Sequence, residues 1–210
     1  RMCASNASNF LFAQKMDTLG NTRWVDTIGG IYGQATLLSI AFDPQGDIWF
    51  GGNISGNDLI NGPVNIDITG GTVGLAYELS SQGEVLSGFA VPATGLSNVE
   101  DLIVALNGEV FLAGWHQGGS LNGGAPAQGY DGFLLRATAT GDVIWANELR
   151  GVGDDFFTGI ANALDPNVIV GGAFYFYQAD FAGATLATVA GNSSALMRVD
   201  TMGNFIDALQ

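Results

Sequence analysis

The stretch Ala195-Leu196-Met197-Arg198-Val199-Asp200-Thr201-Met202-Gly203 places a short apolar strand directly before a turn glycine. The same arrangement occurs three times earlier in the chain: Phe10–Met16 before Gly20, Val73–Leu79 before Gly83, and Phe133–Ala137 before Gly141. The four glycines are 63, 58 and 62 residues apart, and a charged residue lies five positions before each one: Lys15, Glu78, Arg136 and Arg198. A period of about sixty residues indicates a repeat protein.

A second landmark repeats in phase with the first. Ile48-Trp49-Phe50-Gly51-Gly52, Val110–Gly114 and Val168–Gly172 are apolar segments that end in a pair of small residues. Tight turns precede them at Asp43–Asp47, Asn107-Gly108 and Asp165–Asn167, with residue types that suit chain reversal. The small pair predicts a strand whose neighbours approach it closely.

Each unit therefore contains four predicted strands, A to D in chain order, of which C and D flank the turn glycine. The chain is predicted to be all-β, with β-propeller-type repeats of four-stranded antiparallel blades, about three and a half in number. The predicted half-blade is 9–29, and the predicted blades are 36–91, 98–149 and 157–209. A β-helix is the alternative, but its repeat is much shorter than this one.

The composition excludes some functions. The chain has 32 glycines, 20 acidic and 6 basic residues, and a net charge of −14. This charge repels phosphate backbones and anionic lipid, so we expect neither nucleic-acid binding nor binding to anionic membranes. Membrane insertion is not expected either. No apolar segment reaches the ~18–20 residues that cross a bilayer. Excess carboxylate is compatible with solubility or with binding of divalent cations.

Two segments of the third unit resemble a known family. Residues 180–204, Asp180-Phe-Ala-Gly-Ala through Arg198-Val-Asp-Thr-Met-Gly-Asn204, look like the SBBP (seven-bladed-propeller-like) repeat of bacterial secreted proteins. Gly151-Val-Gly-Asp-Asp-Phe-Phe-Thr-Gly-Ile-Ala161 resembles the element that opens its inner strand, whereas 97–101 in the second unit depart from the Gly-Asp-Asp pattern. The resemblance covers nearly the whole chain. It implies a propeller and an exported protein, and no particular activity.

The strand phase also leads to an expectation about completeness. The chain begins with a C–D half-blade and then supplies three whole predicted units. Two identical copies would both offer the same half, and an uncovered sheet edge invites aggregation. We therefore expect further segments of the same polypeptide, or a different chain, to complete the propeller.

Catalytic residues are not predicted. His116 is the single histidine, and it follows Trp115 at the end of a B segment, where a histidine at the surface or packed against a loop is expected. The carboxylate pairs Glu100-Asp101 and Asp154-Asp155 precede A strands at similar points. Acids so placed serve propeller hydrolases and lyases, or bind calcium, but turn aspartates also hydrogen-bond the backbone.

Calcium is the cofactor that the sequence allows, with Asp154, Asp155, Asp58 and Asp67 as candidate ligands. Asp58 and Asp67 lie with Asn57 and Asn65 in one oxygen-rich segment, whose spacing does not match an EF-hand.

The B–C connections are the predicted binding surface. They cover Ser55–Thr72, Gln117–Tyr130 and Gln178–Ser193, and repeat symmetry places all three on one face. The candidate binding residues near them are Trp115, His116, Tyr130, Tyr175 and Tyr177. Aromatic rings suit stacking on sugars, although rings here also suit packing between units.

Three Asp-Thr-apolar triplets, at Thr18, Thr27 and Thr201, look like acceptors of bacterial O-glycosylation, and Asp-Thr is also good turn chemistry.

Three functions follow, in order of preference. The first is a non-catalytic module at the cell surface or outside the cell, with a structural, adhesive or protein-binding role and surface proteins or glycans as partners. The second is a carbohydrate-binding propeller, assisted by calcium or not. The third is a propeller hydrolase or lyase that uses rim carboxylates.

Overall fold

The structure is a computed structural model that describes residues 11–28, 34–56, 59–68, 71–163 and 168–209. All regular secondary structure in these ranges is β-strand, so the predicted all-β class is confirmed. The strands are β1 (Leu11–Met16), β2 (Thr22–Ile28), β3 (Gln34–Phe42), β4 (Ile48–Ser55), β5 (Leu59–Asn61), β6 (Val64–Ile66), β7 (Thr72–Leu79), β8 (Val85–Ala90), β9 (Leu96–Val104), β10 (Val110–Gln117), β11 (Tyr130–Ala137), β12 (Val143–Gly151), β13 (Phe156–Asn162), β14 (Val168–Phe181), β15 (Ala184–Asp200) and β16 (Phe205–Leu209).

All strand pairs are antiparallel, as predicted. The leading hairpin is β1-β2. Unit 1 is the sheet β3-β4-β7-β8, in which β4 and β7 are paired directly. The connection between these two strands contains the separate hairpin β5-β6. Unit 2 is β9-β10-β11-β12, and unit 3 is β13-β14-β15-β16. Units 2 and 3 are joined into one eight-stranded sheet, because β12 pairs with the end of β14, where Arg150 lies opposite Asp180.

The third B–C connection differs from the prediction. Gln178–Ser193 was expected to be a loop, but β14 and β15 extend through it and pair as far as Phe181 and Ala184. Ala182 and Gly183, with φ of 47° and 83°, form the two-residue turn. Positive φ at both turn positions matches the twist of a tight hairpin, which allows the strands to continue. Phe10, Asn57, Asp58 and the predicted turn at 165–167 lie outside the described residues.

The small-residue pairs of units 1 and 2 perform the predicted role, whereas in unit 3 a Cβ on Gly172 would have only Thr158 Oγ1 nearby among the described residues, at 3.9 Å. A Cβ on Gly52 would lie 1.9 Å from the carbonyl oxygen of Thr36, and one on Gly114 would lie 2.0 Å from that of Asn98. Both glycines face the same irregularity in the pairing of the A and B strands, next to a residue that bulges from the ladder. Any side chain would push the bulged strand away.

A polar contact joins unit 2 to unit 3. The Trp145 indole Nε1 donates to the carbonyl oxygen of Thr201 at 2.9 Å, and Arg136 Nη1 donates to the same oxygen. Gly203 lies beneath the Trp145 ring, since a Cβ on Gly203 would be 2.8 Å from the ring. Arg136 also pairs with Glu109 of its own unit.

The same contact joins the leading hairpin to unit 1. Lys15 Nζ and Trp24 Nε1 both donate to the carbonyl oxygen of Ser81, at 2.8 and 3.1 Å. A Cβ on Gly83 would lie 2.7 Å from the Trp24 ring. These contacts explain two of the four recurring charged residues. Lys15 and Arg136 each reach a backbone carbonyl in the C–D turn of the next unit.

The inner strands are linked as well. Ser39 of β3 donates its hydroxyl hydrogen to Asp101 of β9, and the other Asp101 oxygen accepts from the backbone N–H of Ile160 in β13 at 3.0 Å. One carboxylate therefore ties the first strands of the three units together.

The apolar core follows this stacking. One cluster lies within unit 1 and reaches the leading hairpin through Ala13. A second joins Trp49 and Phe89 of unit 1 to unit 2, and a third joins Phe111 and Leu134 of unit 2 to unit 3. Within the described residues, no helix has the length and hydrophobicity that crossing a bilayer requires.

Candidate binding site

A row of polar side chains crosses the eight-stranded sheet near the end of its strands. Ser97 of β9 pairs with His116 of β10, His116 with Asp131 of β11, and Arg150 of β12 with Asp180 of β14. Gly132 and Leu149 are partners, so the residues next to them, Asp131 and Arg150, continue the row. Directly opposed residues of neighbouring strands point to the same face. The pairing register across these five strands therefore places these side chains on one face of the sheet.

The centre of this row is a partly buried ionic network. Arg150 Nε lies 3.7 Å from Asp131 Oδ2 and donates at 2.6 Å to Glu148 Oε2. His116 is fully buried, and its Nε2 lies 3.0 Å from Glu148 Oε1 without the alignment of a hydrogen bond. Arg150 also donates to the carbonyl oxygen of Ala125 in the second B–C connection. The guanidinium thus connects β11, β12 and that connection.

Asp131 is only 2% exposed, and its Oδ1 has no hydrogen-bond partner among the described residues. Burial raises the pKa of its carboxyl, and Glu148 adds to the rise, whereas Arg150 and His116 oppose it. A hydrogen-bond donor strongly stabilises a buried carboxylate, because burial has removed water from its oxygens.

A cleft of about 370 Å³ opens over this end of the sheet. It is lined by Gln128, Asp131, Arg150, Gly151, Val152, Gln178, Ala179 and Asp180. Gln128, Val152, Gln178 and Asp180 are exposed at the mouth, while Asp131 and Ala179 are buried at the floor. The volume lies within the range of small-molecule sites in proteins, roughly 300–1,000 Å³.

The structure brings only some of the predicted aromatic binding residues together. Trp115 and Tyr130 meet edge to face, with centroids 4.9 Å apart, and Phe156 joins them at 5.4 Å from Tyr130. Trp115 also donates its indole N–H to Glu100 at 2.9 Å. Because Trp115 and His116 are consecutive in a strand, these half-buried rings and His116 lie on opposite faces of the sheet. Tyr175 and Tyr177 lie in β14, in a segment whose side chains are not described.

His116 was expected either at the surface or packed against a loop, and the surface position is wrong. It is 0% exposed, inside β10. His116 lies in a central strand, and its pairing partners Ser97 in β9 and Asp131 in β11 flank it on the same face, which the sequence pattern near Trp115 did not reveal.

The structure places the predicted calcium ligands in separate parts of the chain. Asp154 is exposed and accepts from the Tyr130 N–H at 3.3 Å, and Asp155 beside it is buried before β13. Asp67 is exposed after β6 in unit 1, and Asp58 lies outside the described residues. Glu100 and Asp101 were expected to match Asp154 and Asp155 in the repeat. They lie instead inside β9, where Asp101 pairs with Ala113.

Three other carboxylates do converge, and sequence reasoning missed them. Asp43, Asp47 and Glu78 each bring one oxygen within 4.8 Å of the others. Burial raises the pKa of Glu78, and the charges of Asp43 and Asp47 add to the rise. Asp43 Oδ1 accepts two backbone N–H groups, and Asp47 Oδ1 accepts that of Ser81, so both are held as turn residues. The sequence did mark Glu78, as the charged residue five positions before Gly83. Only the pairing of β7 with β4 brings Glu78 to the turn that contains Asp43 and Asp47.

The candidate glycosylation sites have a structural use. Asp17 and Asp200 each accept the backbone N–H groups two and four residues ahead, closing the turns that contain Thr18 and Thr201. Hydrogen bonds from the side chains of Asn21 and Asn204, together with these backbone bonds, hold the pKa of both aspartates below the ordinary value. Thr27 is exposed in β2. Glycosylation of the threonines stays a prediction, which the intact mass of the protein purified from its native source tests.

Comparison with known proteins adds little. No protein-family model matches the chain, and no curated protein matches its sequence. Among solved structures, the chain is similar to a protein of unknown function from Bacteroides caccae, with a TM-score of 0.45 and 10% identity over 91% of this chain. The chain spans 65% of the length of that structure. A likeness at this level carries no inference about function.

Proposed function

We propose that the chain is a β-propeller-type interaction module of an exported bacterial protein, which holds a ligand or partner without transforming it. Its units would be successive blades, and the SBBP repeat would be its family. The repeated polar contact between units supports this proposal, since Trp24 reaches Ser81 and Trp145 reaches Thr201 in the same way. Repeat proteins are stabilised by such nearest-neighbour contacts.

The linked inner strands give further support. In a propeller the first strands of the blades lie side by side around an axis. Asp101 connects β9 to Ser39 of β3 and to Ile160 of β13, and these contacts between first strands support the proposed arrangement. The separate location of Asp154 and Asp101, in a connection and within a strand, does not favour a pair of catalytic carboxylates.

The observation that carries the binding role is the cleft above Asp131. It combines a rigid floor of paired strands with polar residues at an open mouth, and binding sites are typically built in this way on stable scaffolds. A role at the cell surface, in adhesion or recognition of glycans and proteins, is the function that we propose for it.

The experiment is a binding and turnover measurement on the same ligands. The purified chain is tested on immobilised glycans and extracellular proteins by surface plasmon resonance, and each ligand that binds is then analysed by mass spectrometry after long incubation. We expect saturable binding with unchanged ligand mass. Product that accumulates in proportion to protein concentration, and disappears in Asp131→Asn, would instead establish an enzyme.

A further inference from the structure

We propose that the cleft over β11, β12 and β14 binds the ring of a neutral sugar, whose hydroxyl groups donate to Asp131 and accept from Arg150. This inference rests on the proposed binding function and names the class of ligand for it. It starts from Asp131, whose buried Oδ1 has no partner among the described residues. Asp131 itself lines the cleft, so a hydrogen-bond donor on a ligand there would stabilise its buried carboxylate.

Charge selects among the possible ligands. Asp131 and Asp180 bring two carboxylates to the cleft, while Arg150 already donates to Glu148 through Nε and forms an ion pair with it through Nη2. Together with the net charge of −14, these carboxylates repel an anion. A phosphate or carboxylate ligand is therefore disfavoured.

A divalent cation is disfavoured for a different reason. Among the described residues, three acidic or histidine ligands come within 4.8 Å of one another only at Asp43, Asp47 and Glu78, outside the cleft. The Arg150 guanidinium lies 3.7 Å from Asp131 and would repel a metal ion there. Calcium prefers six to eight oxygen ligands, a set that the lining residues do not assemble.

A neutral polyhydroxylated ring suits the remaining chemistry. Each sugar hydroxyl is both a donor and an acceptor, so adjacent hydroxyls can pair with a carboxylate and a guanidinium that face each other. Gln128 and Gln178 at the mouth offer both hydrogen-bond donors and acceptors through their side-chain amides. Asp180 is held in place by the Thr185 hydroxyl, which donates to its Oδ1 at 2.7 Å. Arg150, through Ala125, holds the connection that carries Gln128.

The test is titration of the purified chain with D-glucose, D-galactose and D-mannose, with binding measured by calorimetry and saturation-transfer NMR. Methyl α-D-glucoside is included to distinguish a sugar at the end of a glycan from a free sugar. Methylammonium chloride and calcium chloride are the competing probes. We expect at least one sugar to bind and Asp131→Asn to weaken that binding about ten- to hundredfold, the loss expected when a buried charged acceptor is removed.

The matched control is Glu84→Gln, an equivalent loss of one carboxylate at an exposed position in the β7–β8 turn, which should leave sugar affinity unchanged. Thermal unfolding verifies that each variant is folded. If Asp131→Asn does not fold, Asp180→Asn at the exposed mouth replaces it, with an expected loss of severalfold.

The inference is overturned if no sugar binds, if only methylammonium or calcium binds, or if both cleft variants bind sugar as tightly as the parent. In these cases binding of proteins or larger glycans elsewhere on the chain would still support the proposed function. Conversion of a bound sugar to product would refute the non-catalytic function instead.

Discussion

Gly203→Ala tests whether the contact between units 2 and 3 stabilises the fold. Gly203 has a φ of 85°, a backbone conformation that costs a residue with a Cβ roughly 1–2 kcal/mol. In addition, the new Cβ would lie 2.8 Å from the Trp145 ring, which the hydrogen bond to Thr201 holds in place. Overpacking of this kind costs about 1–3 kcal/mol. The variant should therefore lose roughly 2–5 kcal/mol of unfolding free energy.

Gly108→Ala is the matched control. Gly108 has nearly the same φ, 82°, but no heavy atom lies within 4 Å of its Cβ position among the described residues. Its cost should be only the backbone term, about 1–2 kcal/mol.

The assay is urea unfolding followed by tryptophan fluorescence. An excess of about 2 kcal/mol corresponds to a midpoint lower by roughly 1 M for the slopes usual in small proteins. Equal losses in the two variants would refute the contact. A second refutation comes from the double variant with Trp145→Leu: the excess should vanish when the ring is removed, and its persistence would assign the cost to another cause.

Three other perturbations test the remaining contacts. Trp145→Phe keeps a ring but loses the indole hydrogen bond, so we expect a loss of about 0.5–1.5 kcal/mol in urea unfolding, and no change would mean that the bond contributes nothing. Asp101→Ala leaves the Ile160 N–H without its carboxylate partner and should cost about 1–3 kcal/mol, whereas an unchanged midpoint would contradict the linked inner strands. Asp131 has a folded pKa raised by burial, so ionisation costs stability; the cost is absent below the unfolded pKa and fully present above the folded one. Asp131→Asn should therefore raise the melting temperature at pH 7 and lose this advantage near pH 4, and a lower melting temperature at pH 7 in a folded variant would contradict the sign.

Much of the strand arrangement could be predicted because it depends on neighbours in sequence. The segments before Gly20, Gly83, Gly141 and Gly203 lie in β1, β7, β11 and β15, and all four glycines have positive φ. An apolar run, a short polar turn and a glycine together specify a hairpin locally. The extension of β14 and β15 was missed, because Ala182 at positive φ gives no turn signal in the sequence.

The candidate site was predicted less well. Trp115 and Tyr130 do come together, but His116 lies on the other face, and Asp131, Glu148 and Arg150 carry no motif in the sequence. Asp131 lies in β11, whereas Glu148 and Arg150 lie in β12. Only the register of those strands determines that they meet.

The sequence by itself determined the period, the antiparallel β-class, the turn chemistry and the acidic surface, because each depends on local residue type or on composition. The tertiary structure alone decided which side chains share a face: that His116 is buried beside Glu148, that Asp101 links three inner strands, and that Asp131 lies at the floor of a cleft. The physical reason is the two-residue period of a strand. A shift of one residue in pairing moves every side chain to the opposite face, and that shift is selected by packing between strands distant in sequence.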